Sequence, residues 1–83
     1  MEDTIEKIRA FIFEHFLFDA DADALVNDAS FLEQGIIDST GILELVDWLE
    51  ETFAISVEDE ELIPENLDSV VKVAAYIERK QST

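Results

Sequence analysis

Eighty-three residues, 48% of them hydrophobic and 31% charged, are enough for one core and too few for two. The chain has no cysteine, which excludes disulfides, thiolate metal sites and a protein thiol nucleophile, and its 21 acidic against 5 basic residues give a net charge of −16. Between Arg9 and Lys72 there are seventeen carboxylates and no Lys or Arg, a field that repels nucleic-acid backbones and anionic lipid while steering basic proteins towards it. A single domain over residues 1–83 is expected, with no nucleic-acid partner. No basic segment leads into an apolar stretch, and no apolar run approaches the ~20 residues of a spanning helix. The expectation is therefore a cytoplasmic protein with no membrane partner, and high like charge favours a monomer.

In chain order, Thr4 to about Leu17 places Ile5, Ile8, Phe11, Ile12 and Phe16 at helical spacing, with Asp3 or Thr4 available to cap the start. Phe18 to Gly35 reads as a long loop pinned by Phe31 and Leu32. Within it, Ser30 and Glu33 have the spacing of a capping box, so a single helical turn ending at Gly35 is expected. From about Ser39 to Phe53, Ile42, Leu45, Val46, Leu49 and Phe53 share one helical face, and Glu44, Asp47, Glu50 and Glu51 point largely elsewhere. Pro64 interrupts the acidic stretch Glu58 to Glu65, leaving Glu65 to Leu67 as a short turn. Asp68 or Ser69 then caps a last helix that buries Val70, Val73, Ala74 and Ile77. Ile55 and Val57 make at most an extended link, so the fold class is all-α.

The chemistry concentrates at Gly35 to Leu45, where Asp38-Ser39-Thr40 opens an amphipathic helix. Free amides and the helix dipole favour negative charge there, so a phosphate ester on the small hydroxyl of Ser39 would sit in a favourable field. The same triplet also fits plain N-capping. Asp19, Asp21, Asp23 and Asn27 match four ligand positions of a calcium-binding EF-hand loop. Ala24 replaces its turn glycine, however, and Ser30 its bidentate glutamate, so no metal site is expected. His15 borders the first helix's apolar face without a nucleophile near it in sequence, and Trp48 and Tyr76 are expected to complete the core or its rim.

Gly35-Ile36-Ile37-Asp38-Ser39-Thr40, followed by Leu45-Val46 and ending at Glu50-Glu51-Thr52-Phe53, resembles the phosphopantetheine attachment region of acyl carrier proteins. The resemblance extends over most of the chain and implies an acyl-carrier-protein-like four-helix bundle with three main helices and one short third helix. It implies a 4'-phosphopantetheine arm on Ser39, next to the motif residue Asp38, moved there from coenzyme A by a phosphopantetheinyl transferase. The arm's thiol would hold an acyl or aminoacyl group as a thioester, making the chain a tether and not a catalyst. Further implied partners are an acyl- or aminoacyl-loading ligase and downstream synthases or transferases. Thr40, Leu43, Glu44, Asp47, Glu50 and Glu51 are the matching or departing positions for partner recognition. By helical facing, Leu45, Leu49, Ile63 and Leu67 would line a cavity for the acyl chain, with Trp48 a further candidate.

Thr40 stands where most members have Leu, Gly41 where a larger residue is common, and Asp47 where fatty-acid carriers have an apolar residue. These departures look more like stand-alone carriers of dedicated biosynthetic routes. Gly41 either loosens the first turn of its helix or leaves space for a partner backbone. The competing reading is an unmodified acidic interaction module, in which the hydroxyl of Ser39 would be dispensable.

Overall fold

A computed structural model describes residues 2–17 and 25–82 of the chain. Its order is α1 (Glu2–His15), α2 (Phe31–Gln34), α3 (Ser39–Phe53), a 3₁₀ turn (Asp59–Glu61), α4 (Pro64–Leu67) and α5 (Val70–Gln81). The described residues contain helices and turns and no strand, so the all-α bundle has α1, α3 and α5 as its main members, with α2 and α4 as short helices of four residues each. The stretch carrying Asp19, Asp21, Asp23 and Ala24 lies outside the described residues.

Periodicity builds the core. Ile8, Phe11 and Ile12 of α1 meet Leu45, Val46 and Leu49 of α3 and Val70, Val73, Ala74, Tyr76 and Ile77 of α5, all buried. Each trio or quintet follows the three- and four-residue steps that bring side chains to one helical stripe. Trp48 closes the rim by stacking on Phe11, ring centres 4.5 Å apart, and meets Phe53 edge-on at 5.5 Å. His15 lies against Phe11, with ring centres 4.4 Å apart and the rings tilted by 31°.

Local signals place the helix ends. α1 begins at Glu2, so Asp3 and Thr4 lie inside its first turn and are not its caps; Glu2 and Asp3 there complement the positive end of the helix dipole. Ser30 caps α2 by accepting from the N–H of Glu33 at 3.1 Å. Gly35 ends it at φ 70°, where the N–H groups of Gly35 and Ile36 return to the carbonyls of Leu32 and Phe31, a closure that needs the left-handed backbone. Ala54 ends α3 in the same region at φ 55°. Ser69, not Asp68, caps α5, accepting from Lys72 N–H at 3.1 Å.

Asp68 has a different task. One carboxylate oxygen accepts from the Ser30 hydroxyl and the other from the N–H of Leu32 at 3.1 Å, while its carbonyl accepts from Phe31 N–H at 2.7 Å. The single turn α2 is thus stapled to the corner between α4 and α5. Phe31 is fully buried beneath this staple, but Leu32 is 50% exposed, so only one of the two expected pins reaches the core. Arg9 donates to the Leu25 carbonyl and to Asn27 Oδ1, both at 2.7 Å, tying residues 25–27 to α1.

Candidate functional site

Ser39 is the first residue of α3, and its side chain is exposed. The helix starts there because Asp38, in extended backbone, turns its carboxylate to accept from Gly41 N–H at 2.8 Å. Asp38 thereby takes the N-cap role that the triplet offered, which leaves the Ser39 hydroxyl outside the capping arrangement. The first turn of a helix carries amides without intrahelical partners, so this is a favourable place for an anionic ester.

Gly41 is buried, and the space it leaves is filled from within the chain. A Cβ on it would stand 2.9 Å from Ile37 Cγ2 and 2.9 Å from Phe16 Cε1. The glycine lets the end of α1 and the segment entering α3 approach the first turn of α3, so neither a loosened turn nor room for a partner backbone explains it.

Ser39 opens onto an apolar cleft of about 280 Å³. Ile42 and Leu43, three and four residues on, form its α3 side; Leu32 and Asp68 lie along a second side; Leu62, Ile63, Pro64 and Leu67 make the third. Of the four residues expected to line a cavity, Ile63 and Leu67 do so. Leu45 and Leu49 are instead fully buried between the main helices, and Trp48 sits at the far rim with Phe11. Helical facing distinguishes inside from outside, and here inside for Leu45 and Leu49 means packed core. Leu32, Ile42, Leu43, Leu62, Pro64 and Asp68 line it without having been expected to; the i, i+3 and i, i+4 spacings from Ser39 to Ile42 and Leu43 are the signal the sequence offers for two of them.

The surface around the cleft is acidic with apolar interruptions. Thr40, Glu44, Asp47 and Glu51 are exposed, and Leu43 is 57% exposed. Glu50 differs: it is half-buried and accepts from the N–H of Val57 at 2.9 Å, holding the link after α3 against the helix. One of its oxygens is therefore committed within the fold. Among the described residues no three His, Cys, Asp or Glu side chains converge as a metal set, and no helix is long and apolar enough to cross a membrane.

The residues present suit a phosphodiester-linked arm: an unhindered hydroxyl at a helix start, with an apolar channel beginning at the same residue. Residues 17–77 match the family model described as the phosphopantetheine attachment site, and the chain belongs to that family. Its relatives include proteins named acyl carrier protein. The one from Akkermansia muciniphila is 42% identical over 76 residues, covering 92% of this chain and 90% of the relative. The one from Helicobacter hepaticus is 38% identical, covering 92% and 95%, and the one from Zymomonas mobilis 33% identical, covering 99% and 100%. The cofactor that goes with this membership is a covalently attached 4'-phosphopantetheine.

Proposed function

We propose that Ser39 is the attachment point of the 4'-phosphopantetheine arm and that the whole chain, residues 1–83, acts as one acyl carrier domain. The observation that carries the assignment is the exposed Ser39 hydroxyl at the start of α3, freed from capping by Asp38 and adjoining an apolar cleft. In the loading reaction the Ser39 oxygen attacks the pantetheine-bearing phosphorus of coenzyme A, its proton passing to a base of the phosphopantetheinyl transferase, and the pyrophosphate P–O bond breaks to release adenosine 3',5'-bisphosphate. The bound arm contributes the terminal thiol that this cysteine-free chain lacks, and an acyl or aminoacyl group rides there as a thioester. The protein's own part is to hold, present and release, which is tethering and not catalysis. Tethering replaces diffusion with a high local concentration at each partner's active site.

The partners are the transferase, a loading ligase for acyl or aminoacyl groups, and downstream synthases or transferases. Thr40, Leu43, Glu44, Asp47 and Glu51 supply the contact face, with Glu50 contributing the oxygen not given to Val57. Single exposed ion pairs are worth about 0–1 kcal/mol, so these contacts are weak, salt-sensitive and quickly exchanged, as a shuttle requires. The carrier works as a cytoplasmic monomer. The test is intact-protein mass spectrometry after incubation with coenzyme A, magnesium and a broad-specificity phosphopantetheinyl transferase, beside a folded Ser39→Ala control. One added arm on the wild type and none on the control is the expected result. An unmodified wild type, in a reaction that loads a known carrier, would favour the acidic interaction module.

A further inference from the structure

One wall of the cleft is held to the bundle by a different force from the packed main helices. Between Val57 and Leu67 no apolar side chain is buried, and Leu62, Ile63 and Pro64 all lie exposed along the cleft. The segment is fastened by polar groups. Glu61 Oε1 accepts from the Tyr76 hydroxyl at 3.0 Å, the Lys80 ammonium at 2.9 Å and the Glu58 N–H at 3.1 Å. The Glu61 carbonyl accepts from Asn66 Nδ2 at 3.0 Å, and Asn66 Oδ1 accepts from Arg79 at 2.7 Å. Tyr76, Arg79 and Lys80 are three and four residues apart, so all three reach this segment from one face of α5. The ion pair with Lys80, and after it the Glu58 N–H, hold the Glu61 carboxyl below the usual carboxylate range, so it is charged at neutral pH.

From this arrangement we propose that Glu61, Tyr76 and Lys80 form a latch that keeps the wall over residues 58–67 against α5 and so sets how often the cleft beside Ser39 opens. A segment anchored by Val57 and Leu67 at its ends and, between them, by the Glu61 carboxylate and the Arg79–Asn66 hydrogen bond opens locally at far lower cost than the packed helices. Losing the charge on Glu61, or the donor on Lys80, leaves those ends in place and lets the middle swing away. What the cleft shelters rests on the carrier reading, but the latch itself does not, because it is complete in the unmodified chain.

The test is residue-resolved amide hydrogen exchange at neutral pH on the full, unmodified chain, comparing wild type with Glu61→Gln and Lys80→Met. The amides of Leu62, Asn66, Leu67 and Asp68, all bonded within the segment, should exchange about three- to tenfold faster in both variants, the scale of one lost hydrogen bond. Amides of Leu45, Val46 and Leu49 in α3 should keep wild-type rates. Unchanged exchange at the four wall amides would overturn the latch. Equal acceleration in α3 would overturn it too, by showing global loosening. Failure of Ser39 to accept an arm would leave this result standing and sink only the carrier reading.

Discussion

Replacing Gly41 by Ala sets two physical effects against each other at the base of the candidate site. In an exposed helix interior the change would stabilise by roughly 1 kcal/mol, because Ala loses less backbone freedom than Gly. Here the added Cβ would meet Ile37 Cγ2 and Phe16 Cε1 at 2.9 Å and Asp38 Oδ1 at 3.4 Å, whereas carbon pairs are content at about 3.5–4.0 Å. Ile37 is buried and branched at Cβ, so it cannot retreat by rotation without leaving its rotamer. Forcing a methyl into such a place costs about 1–3 kcal/mol, which outweighs the propensity gain and leaves the variant about 1 kcal/mol less stable. For a domain of this size that lowers Tm by about 4–8 °C. Trp48, the only tryptophan, packs on Phe11 and gives a fluorescence signal for urea and thermal unfolding. Thr40→Ala, an exposed neighbour in the same turn, should gain a few tenths of a kcal/mol as the control. A Gly41→Ala chain as stable as wild type or more so would refute the close-packing account.

Asp68→Ala removes the acceptor for the Ser30 hydroxyl and Leu32 N–H and should lower the urea-derived stability by about 2–4 kcal/mol, with Asp68→Asn closer to wild type; an Ala variant within 0.5 kcal/mol of wild type, roughly the effect of a neutral surface change, would show that the staple is idle. Burial, then the hydrogen bond to Glu61 and the nearby carboxylates, push the Tyr76 phenol above its ordinary value of 10.0. The unfolded chain thus loses this proton first, so its contribution to stability is whole below pH 10 and is lost as pH rises towards the higher folded value. Tyr76 is the only tyrosine, so phenolate absorbance reads it alone, and an ordinary midpoint in the folded chain would contradict its burial. Repulsion within a net charge of −16 should make Tm rise with sodium chloride and with magnesium; a melt indifferent to both would count against that repulsion.

What could be read from the sequence was local. Ser30 with Gly35 bounds a turn within six residues, the Asp38-Ser39-Thr40 triplet offered a cap for α3, and Asp68-Ser69 offered two for α5, so each of these helix starts was visible as a short pattern and the structure selects Asp38 and Ser69. The apolar stripes of α1, α3 and α5 were equally visible because a helix repeats them. The cleft was visible only through Ile63 and Leu67, since residues 32, 42 and 68 come to it from separate elements and only folding brings them together. Glu50 looked like any other carboxylate on its helix; its bond to Val57 depends on how the chain turns at Ala54. Asp68 and Ser69 read as alternative caps because either residue type before a helix can cap it, and Ser69, one position nearer the helix, leaves Asp68 to reach back to Ser30. Glu61, within an unbroken acidic run, owes its role to Tyr76 and Lys80, 15 and 19 residues away.

The most direct test of the central claim is to digest the chain after phosphopantetheinyl transfer and localise the added group by fragmentation mass spectrometry. Ser39, Thr40, Ser30 and Ser69 all carry hydroxyls, but only Ser39 combines exposure, a helix start and the cleft. Fragments placing the whole of the added mass on Ser39 are the predicted result. Added mass on Thr40 or any other residue, with Ser39 unmodified, would contradict the assignment.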